Sequence, residues 1–486
     1  MADDRKIMMT RLEGGEYFMR VVDRSEVNLK EGKRSRKEGF TMRRFWNNLL
    51  SLLLFVLVFG LMSLPNLVQA QQKEAPTQYV PCLIYRTGPF APGGSGTGSG
   101  WEDLMELRNM QGGVNGIKYK YEECETAYDT ARGVECYERV KSKNPAYMHP
   151  FATGISYALL DRTARDKIPL IFMGYGRADA SDGRVFPWAF TFPTNYWSQN
   201  TAKIKFIGQQ MGGMDKLKGL KIANLYIDIP YGQETKPLLD EMAKMYGFEV
   251  QHFPVPWPGI DQKAQWMDIV RRFKAEWVIN RNWGVSCTVP LKEAARLGFP
   301  RNRILGVWWC GSEEDVMAAG PAAAGYYSTN FNGVGRDFPV IQEIIDKVYG
   351  AMKGNISMTR VGTVFYNRGV VTGIAMDEAI RTAHKKFGVH PVTGEEMQWA
   401  LENLNITEER IKEIGAEGLM PPIKTSWKDH EGGGWVRFQQ WDGQKWVPVG
   451  SWVAPLREFV RERVETSAAK YAKEKGITPR TSEALK

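Results

Sequence analysis

Few residues of this chain have the type and spacing that catalysis requires. Its five cysteines (Cys82, Cys124, Cys136, Cys287 and Cys310) form no CxxC pair, and its five histidines are scattered, so neither a zinc site nor a histidine-based triad is expected. The patterns G-x-S-x-G, H-E-x-x-H and the P-loop are missing, which argues against an enzyme of those classes. The segment Gly88–Gly100, which contains Phe90, has the composition of a dinucleotide loop without its spacing. A G-x-G-x-x-G fingerprint started at Gly94 meets Ser99 at its third glycine, and one started at Gly96 meets Trp101. No cofactor and no metal are expected. A loop of this kind that leads into a helix still offers free N–H groups to a ligand carboxylate. Trp283, Trp308 and Trp309 follow strand-like runs and together would make an aromatic wall.

Length and composition set the frame for these residues. The chain has 486 residues, 43% hydrophobic and 24% charged, which suits two or three globular domains. The net charge of +9 is spread out, and no basic block interleaved with aromatics points to nucleic acid. Leu49–Leu64 is almost wholly apolar and follows Arg43 and Arg44. Pro65 ends it, and Val68 and Ala70 stand at the −3 and −1 positions of a cleavage site. Residues 42–70 therefore read as a signal peptide whose apolar run, Leu49–Leu64, is short for a spanning helix of roughly 20 residues, with an uncleaved anchor as the alternative. Residues 1–41 read as a leader extension or a misassigned start. Export implies an oxidising compartment. Cys124 and Cys136, between a strand end and a helix, are candidates for a bridge, with two buried free thiols as the alternative. Pairing of Cys287 with Cys310, on neighbouring loops, stays open.

The mature part alternates strands with helices. Tyr79–Tyr85, Lys118–Glu122 and Ile168–Met173 read as strands, and Trp101–Met110 and Thr130–Lys141 as helices. The pattern restarts with strands at Lys221–Tyr226, Glu249–Phe253, Trp277–Asn280 and Arg303–Val307, separated by helices at 233–246, 262–273 and 289–297. Such alternation predicts an α/β fold built on parallel sheets. Phe190–Gln199 reads as an extended crossover between the two runs, and Ala324–Phe331 as a second one. A long helix is expected over Gly362–Phe387, a hairpin around Asp442-Gly443, and a charged helix over Pro455–Lys475.

In that order the chain carries several short motifs. They are Thr87-Gly88-Pro89, Asn109-Met110-Gln111-Gly112-Gly113-Val114-Asn115-Gly116, Ile168-Pro169-Leu170-Ile171, Phe190-Thr191-Phe192-Pro193-Thr194 with Gln199, Asp228-Ile229-Pro230-Tyr231-Gly232, and Ala294-Ala295-Arg296-Leu297-Gly298. With them the sequence resembles the type I periplasmic solute-binding proteins of ABC importers, in the branched-chain amino acid, amide and hydrophobic solute group. The resemblance spans about residues 77–455.

The resemblance implies two Rossmann-like lobes with parallel sheets, joined by three crossovers, with ligand enclosed between them. Lobe one is expected from 77–193 and 327–432, lobe two from 194–326 and 433–455, and a helical tail over 456–486. It implies a periplasmic capture protein that catalyses nothing, works as a monomer, and hands a small molecule to a membrane permease. A sensing module of the same fold is the alternative. Ligand contacts are implied for Phe90, Thr153, Arg177, Tyr231, Trp283 and Trp309. Amino-acid binders of this group place a carboxylate after the strand Arg303–Val307, to meet the ligand ammonium. Here Trp308-Trp309-Cys310-Gly311-Ser312 occupies that place, and Glu313 and Glu314 come late. The expected ligand is therefore amphipathic, an apolar or aromatic body with a carboxylate or amide head.

Overall fold

Short runs rich in Val, Ile, Leu and Tyr form the strands of two main sheets, as a computed structural model shows. It describes residues 75–482, together with a hairpin of β1 (Lys6–Arg11) and β2 (Tyr17–Val22) whose strands pair antiparallel. That hairpin lies in the stretch read as a leader extension or a misassigned start, and its unit, Met1–Lys73, is separate from the unit that starts at Glu74. The expected signal peptide, 42–70, lies outside the described residues. Among the described residues no helix is long and apolar enough to cross a membrane.

The first sheet starts with β3 (Thr77–Ile84), which is buried from its second residue and pairs in parallel with β4 (Lys118–Glu125). Parallel bridges from Cys82 to His149 and from Met148 to Leu170 carry it on to β5 (Leu170–Ile171) and β6 (Ala189–Phe190). Between these strands lie α1 (Ala91–Met110), α2 (Thr130–Val140) and α3 (Thr153–Asp166). The second sheet has seven strands. β7 (Lys221–Ile227), β8 (Glu249–Val255), β9 (Trp277–Arg281), β10 (Ile304–Gly306) and β11 (Tyr327–Asn330) are parallel, in the order β8-β7-β9-β10-β11. β12 (Val436–Trp441) and β13 (Trp446–Val453) complete it as an antiparallel hairpin turning at Asp442-Gly443. The helix α4 (Tyr196–Met211) leads from the first sheet to the second, α5 (Lys236–Tyr246) and α6 (Thr288–Arg296) cover the second, α7 (Val364–Phe387) packs on α1, and α8 (Arg457–Lys475) lies near the end of the described chain.

Two sequence readings need correction. The Gly/Pro-rich loop ends at Phe90, and helix α1 begins at Ala91 with Pro92 in its first turn, where a missing N–H costs nothing. The glycines that lower helix propensity in an isolated segment are here packing devices. A Cβ at Gly94 would stand 1.9 Å from the Tyr85 carbonyl oxygen, and one at Gly100 would stand 2.0 Å from that of Tyr366. The facing helix α7 answers with Gly369, whose Cβ would lie 2.0 Å from the Thr97 carbonyl oxygen. Close packing of two backbones therefore overrides the local preference for a loop. The crossover Phe190–Gln199 is likewise extended only as far as Asn195. That side chain accepts hydrogen bonds from the N–H groups of Trp197 and Ser198 and so caps α4.

Cys124 is bonded to Cys136 and Cys287 to Cys310, while Cys82 is free and buried.

Candidate functional site

Both sheets end their parallel strands toward the same space. In open α/β sheets ligands sit beyond the carboxyl ends of the strands. A small enclosed cavity lies there, lined by Tyr85, Tyr128, Phe151, Ala152, Thr153, Tyr175, Tyr196, Tyr231, Trp283 and Trp309. From the first sheet come Tyr85, just past β3, Tyr128, past β4, Phe151–Thr153, past the bridge residue His149, and Tyr175, past β5. From the second come Tyr231, past β7, Trp283, past β9, and Trp309, past β10. Tyr196 opens α4 between them. The volume is about 10 Å³, room for about one water. A larger open groove of about 670 Å³, lined by Thr77, Lys143, Ile168 and Pro391 among others, lies at the opposite end of β3 and has no such convergence.

The rings hold one another. The Trp283 and Trp309 centroids are 4.9 Å apart, edge to face, and Phe90 stacks on Trp283 at 5.7 Å. Tyr196 packs edge-on against Tyr231 at 5.5 Å. Such pairs each contribute roughly 0.5–1.5 kcal/mol beyond burial. Loops beyond the two sheets also bond across the space. Trp308 and Trp309 donate their indole N–H groups to the Gly174 carbonyl oxygen at 2.5 and 2.9 Å, and Trp309 also donates to Tyr196 Oη at 2.8 Å. The Val285 N–H reaches the Pro89 carbonyl oxygen at 3.2 Å. Glu234 accepts the Ala178 N–H at 2.7 Å. Burial pushes the Glu234 carboxyl up to about 7, although Arg281 and the Ala178 N–H pull the other way.

Two arginines stand behind the rings. Arg281, the last residue of β9, lies over Tyr196 at 4.1 Å and Tyr231 at 4.7 Å, and donates through Nε and Nη2 to the Tyr231 carbonyl oxygen. Arg368, on α7, lies over Trp309 at 4.4 Å and donates to the Trp308 carbonyl oxygen at 2.9 Å and to Asn330 Oδ1 at 2.7 Å. Burial lowers the Arg368 guanidinium to about 9. Neither arginine makes an ion pair among the described residues.

Of the residues expected at the site, Thr153, Tyr231, Trp283 and Trp309 line the cavity. Phe90 does not, but it closes over Trp283 from outside. Arg177 does not either. Its guanidinium is held by Asp179, at 2.5 and 2.8 Å, and by the Tyr471 ring of α8 at 4.4 Å, so it serves the docking of the C-terminal helix. Glu314 is paired with Arg360 at 2.7 Å, and Glu313 accepts the Val364 N–H at 2.9 Å. Reasoning from sequence missed Tyr85, Tyr128, Phe151 and Tyr196 as wall residues. Their signal was available: an aromatic within a few residues of a strand end or a crossover. Arg368 carried no such signal, since a helix far along the chain brings it in.

A model of a family described as "Periplasmic binding protein" matches residues 77–445. Curated proteins gave no match. Among solved structures, one described as an ABC transporter permease from the Pseudomonas fluorescens group is 42% identical. It has a TM-score of 0.79 and covers 84% of this chain and 100% of its own. A branched-chain amino acid ABC transporter protein from Thermus thermophilus, with bound valine, is 21% identical with a TM-score of 0.67, over 80% of this chain and 100% of that one. A solute-binding protein from R. palustris in complex with benzoate is 18% identical with a TM-score of 0.62, over 78% and 97%.

Proposed function

We propose that this chain, which belongs to the periplasmic binding protein family, captures a small amphipathic solute between its two halves, delivers it to the membrane permease of an ABC importer, and performs no reaction on it. One observation carries this reading. Loops from the carboxyl ends of both sheets meet in an aromatic cavity that is shut by hydrogen bonds between the halves. A pocket of that kind fills and empties only when the halves part, which is hinge closure around a ligand.

The halves we propose are residues 77–193 with 331–432, and 194–330 with 433–455, followed by a tail at 456–486. The boundary moves from the expected 326 to 330 because β11 pairs within the seven-stranded sheet. We read the mature protein as periplasmic and monomeric, released after residue 70.

The ligand we propose has an apolar or aromatic body and a carboxylate or amide head. The eight rings suit the body. The free N–H groups that open α3 at Thr153 suit the head. Relatives of this fold hold valine and benzoate, each a carboxylate on an apolar body. An α-amino acid would also need a counter-charge for its ammonium, and Glu313 and Glu314 are engaged elsewhere.

The test is calorimetry on the exported protein against amino acids, amides and aromatic acids, with X-ray scattering on each binder. One class should bind and the protein should become more compact, with the solute recovered unchanged. A scattering profile that stays the same with a tightly bound solute sinks the capture reading.

A further inference from the structure

Behind the wall of the cavity lie positive charge and hydrogen-bond donors in excess. Arg281 is 0% exposed and Arg368 is 1% exposed, and on each the Nη1 nitrogen has no partner among the described residues. Lys203, on the same helix as Tyr196 and near enough to Arg281 to feel its charge, is also buried and unpartnered, but burial pushes its ammonium well below the usual value, so it counts as a donor and not as a charge. The indole N–H of Trp283, itself a wall residue, has none either. The acids that feel these cations, Glu234 and Asp315, make no ion pair with them among the described residues, and burial raises both carboxyl groups above their ordinary value. Glu234 holds the Ala178 N–H, and Asp315 holds the Ser312 N–H at 3.0 Å.

A box of eight aromatic rings, taken alone, is what recognises a quaternary ammonium. Here Arg281 already covers the faces of Tyr196 and Tyr231, and Arg368 covers Trp309. A second cation among those rings would meet like charge with no buried carboxylate paired against it. Buried charge is costly unless paired, so the arrangement is complete only when the ligand supplies the missing negative charge.

We propose that the cavity selects an anion, an aryl or similarly flat apolar carboxylate that carries no ammonium, and that Arg281 and Arg368 are its specificity-determining residues. This rests on the capture reading and narrows it: amides, zwitterions and cations are excluded. Arg281 enters from the second sheet and Arg368 from the helix packed on α1, so the charge of one ligand is answered from two elements. Arg368 also ties α7 to the Trp308 carbonyl oxygen, which couples the anion to closure.

The experiment keeps the benzene ring and varies the head. Phenylacetate, phenylacetamide, L-phenylalanine and benzyltrimethylammonium are titrated into the mature protein by calorimetry, with scattering as the readout of closure. Phenylacetate should bind at least a hundredfold more tightly than any of the other three. Arg281→Met and Arg368→Met should each weaken phenylacetate at least tenfold and narrow its margin over phenylacetamide, the amide losing less than the carboxylate. Tighter binding of the amide, the zwitterion or the cation overturns the anion assignment and leaves solute capture standing. Binding of none of the four, with no closure, overturns capture as well. The ranking on the unmodified protein decides the matter even where a methionine variant fails to fold.

Discussion

Glu234→Gln isolates one contribution to closure and gives it a sign. The carboxylate sits between the halves, accepts the Ala178 N–H at 2.7 Å, and has Tyr157 Oη at 3.3 Å. Burial raises it from the ordinary 4.5 to about 7, so the closed protein binds a proton there that the unfolded chain does not bind between those two values. Stability is thus greatest below about pH 4.5, falls as pH rises through that window, and carries the full cost above about 7. At about 1.4 kcal/mol per tenfold change, the limit is on the order of 3 kcal/mol. Glu234 is only half-buried by surface, so water relieves part of this, and about 1–2 kcal/mol at pH 8 is the working figure. Glutamine keeps the acceptor for Ala178 and loses the charge. Urea unfolding should show Glu234→Gln more stable than the parent by about 1–2 kcal/mol at pH 8 and nearly level with it at pH 4. Scattering should show the parent more open at pH 8 than at pH 5, and the variant equally closed at both. Burial also pushes Glu313 to about 7, but it stays in both proteins and cancels in the difference. A variant less stable than the parent at pH 8 would refute the reasoning, because the carboxylate would then be a net contributor as a charge.

Other outcomes follow from the same contacts. Trp309→Ala removes a ring with its two hydrogen bonds and opens a cavity costing roughly 3–5 kcal/mol, so the tightest solute should bind at least tenfold more weakly by calorimetry. Gly369→Ala, which in an exposed helix would stabilise by about 1 kcal/mol, should here lower stability by about 1–3 kcal/mol in urea titration, because its Cβ would lie 2.0 Å from the Thr97 carbonyl oxygen. Replacing Cys124 and Cys136 together by serine frees a loop closed over a separation of 12 residues and should cost about 3 kcal/mol in the same assay. N-terminal sequencing of periplasmic protein should begin at Gln71.

How far the sequence discloses the protein depends on the range of the forces involved. Strand and helix order is local, and the alternation of apolar runs with helices places the four strands that begin near Lys221, Glu249, Trp277 and Ile304 to within a few residues, whereas Tyr327–Asn330, read as a crossover, is a strand of the second sheet. The position of the site is nearly local too, since a site beyond the carboxyl ends of parallel strands is announced by whatever follows each strand. Tyr231, Trp283 and Trp309 are found that way, and Tyr85, Tyr128 and Tyr196 satisfy the same rule once each strand end or crossover is asked for its next aromatic. Two things escape because they depend on contact between distant segments. Gly93 to Gly100 read as a loop because nothing near them reveals that Gly369 and Tyr366 stand on the facing helix. Arg177 and Arg368 exchange the roles that position suggests: the first, beside a site loop, is drawn off by Asp179 and Tyr471, while the second, mid-helix and far along the chain, comes to lie on Trp309. A charged side chain is costly to bury without partners, so its place is set by whichever distant segment brings acceptors, and no local pattern records that. The charge of the cavity, which decides what it selects, is for this reason the last property to emerge and the first that a variant at Arg281 or Arg368 would change.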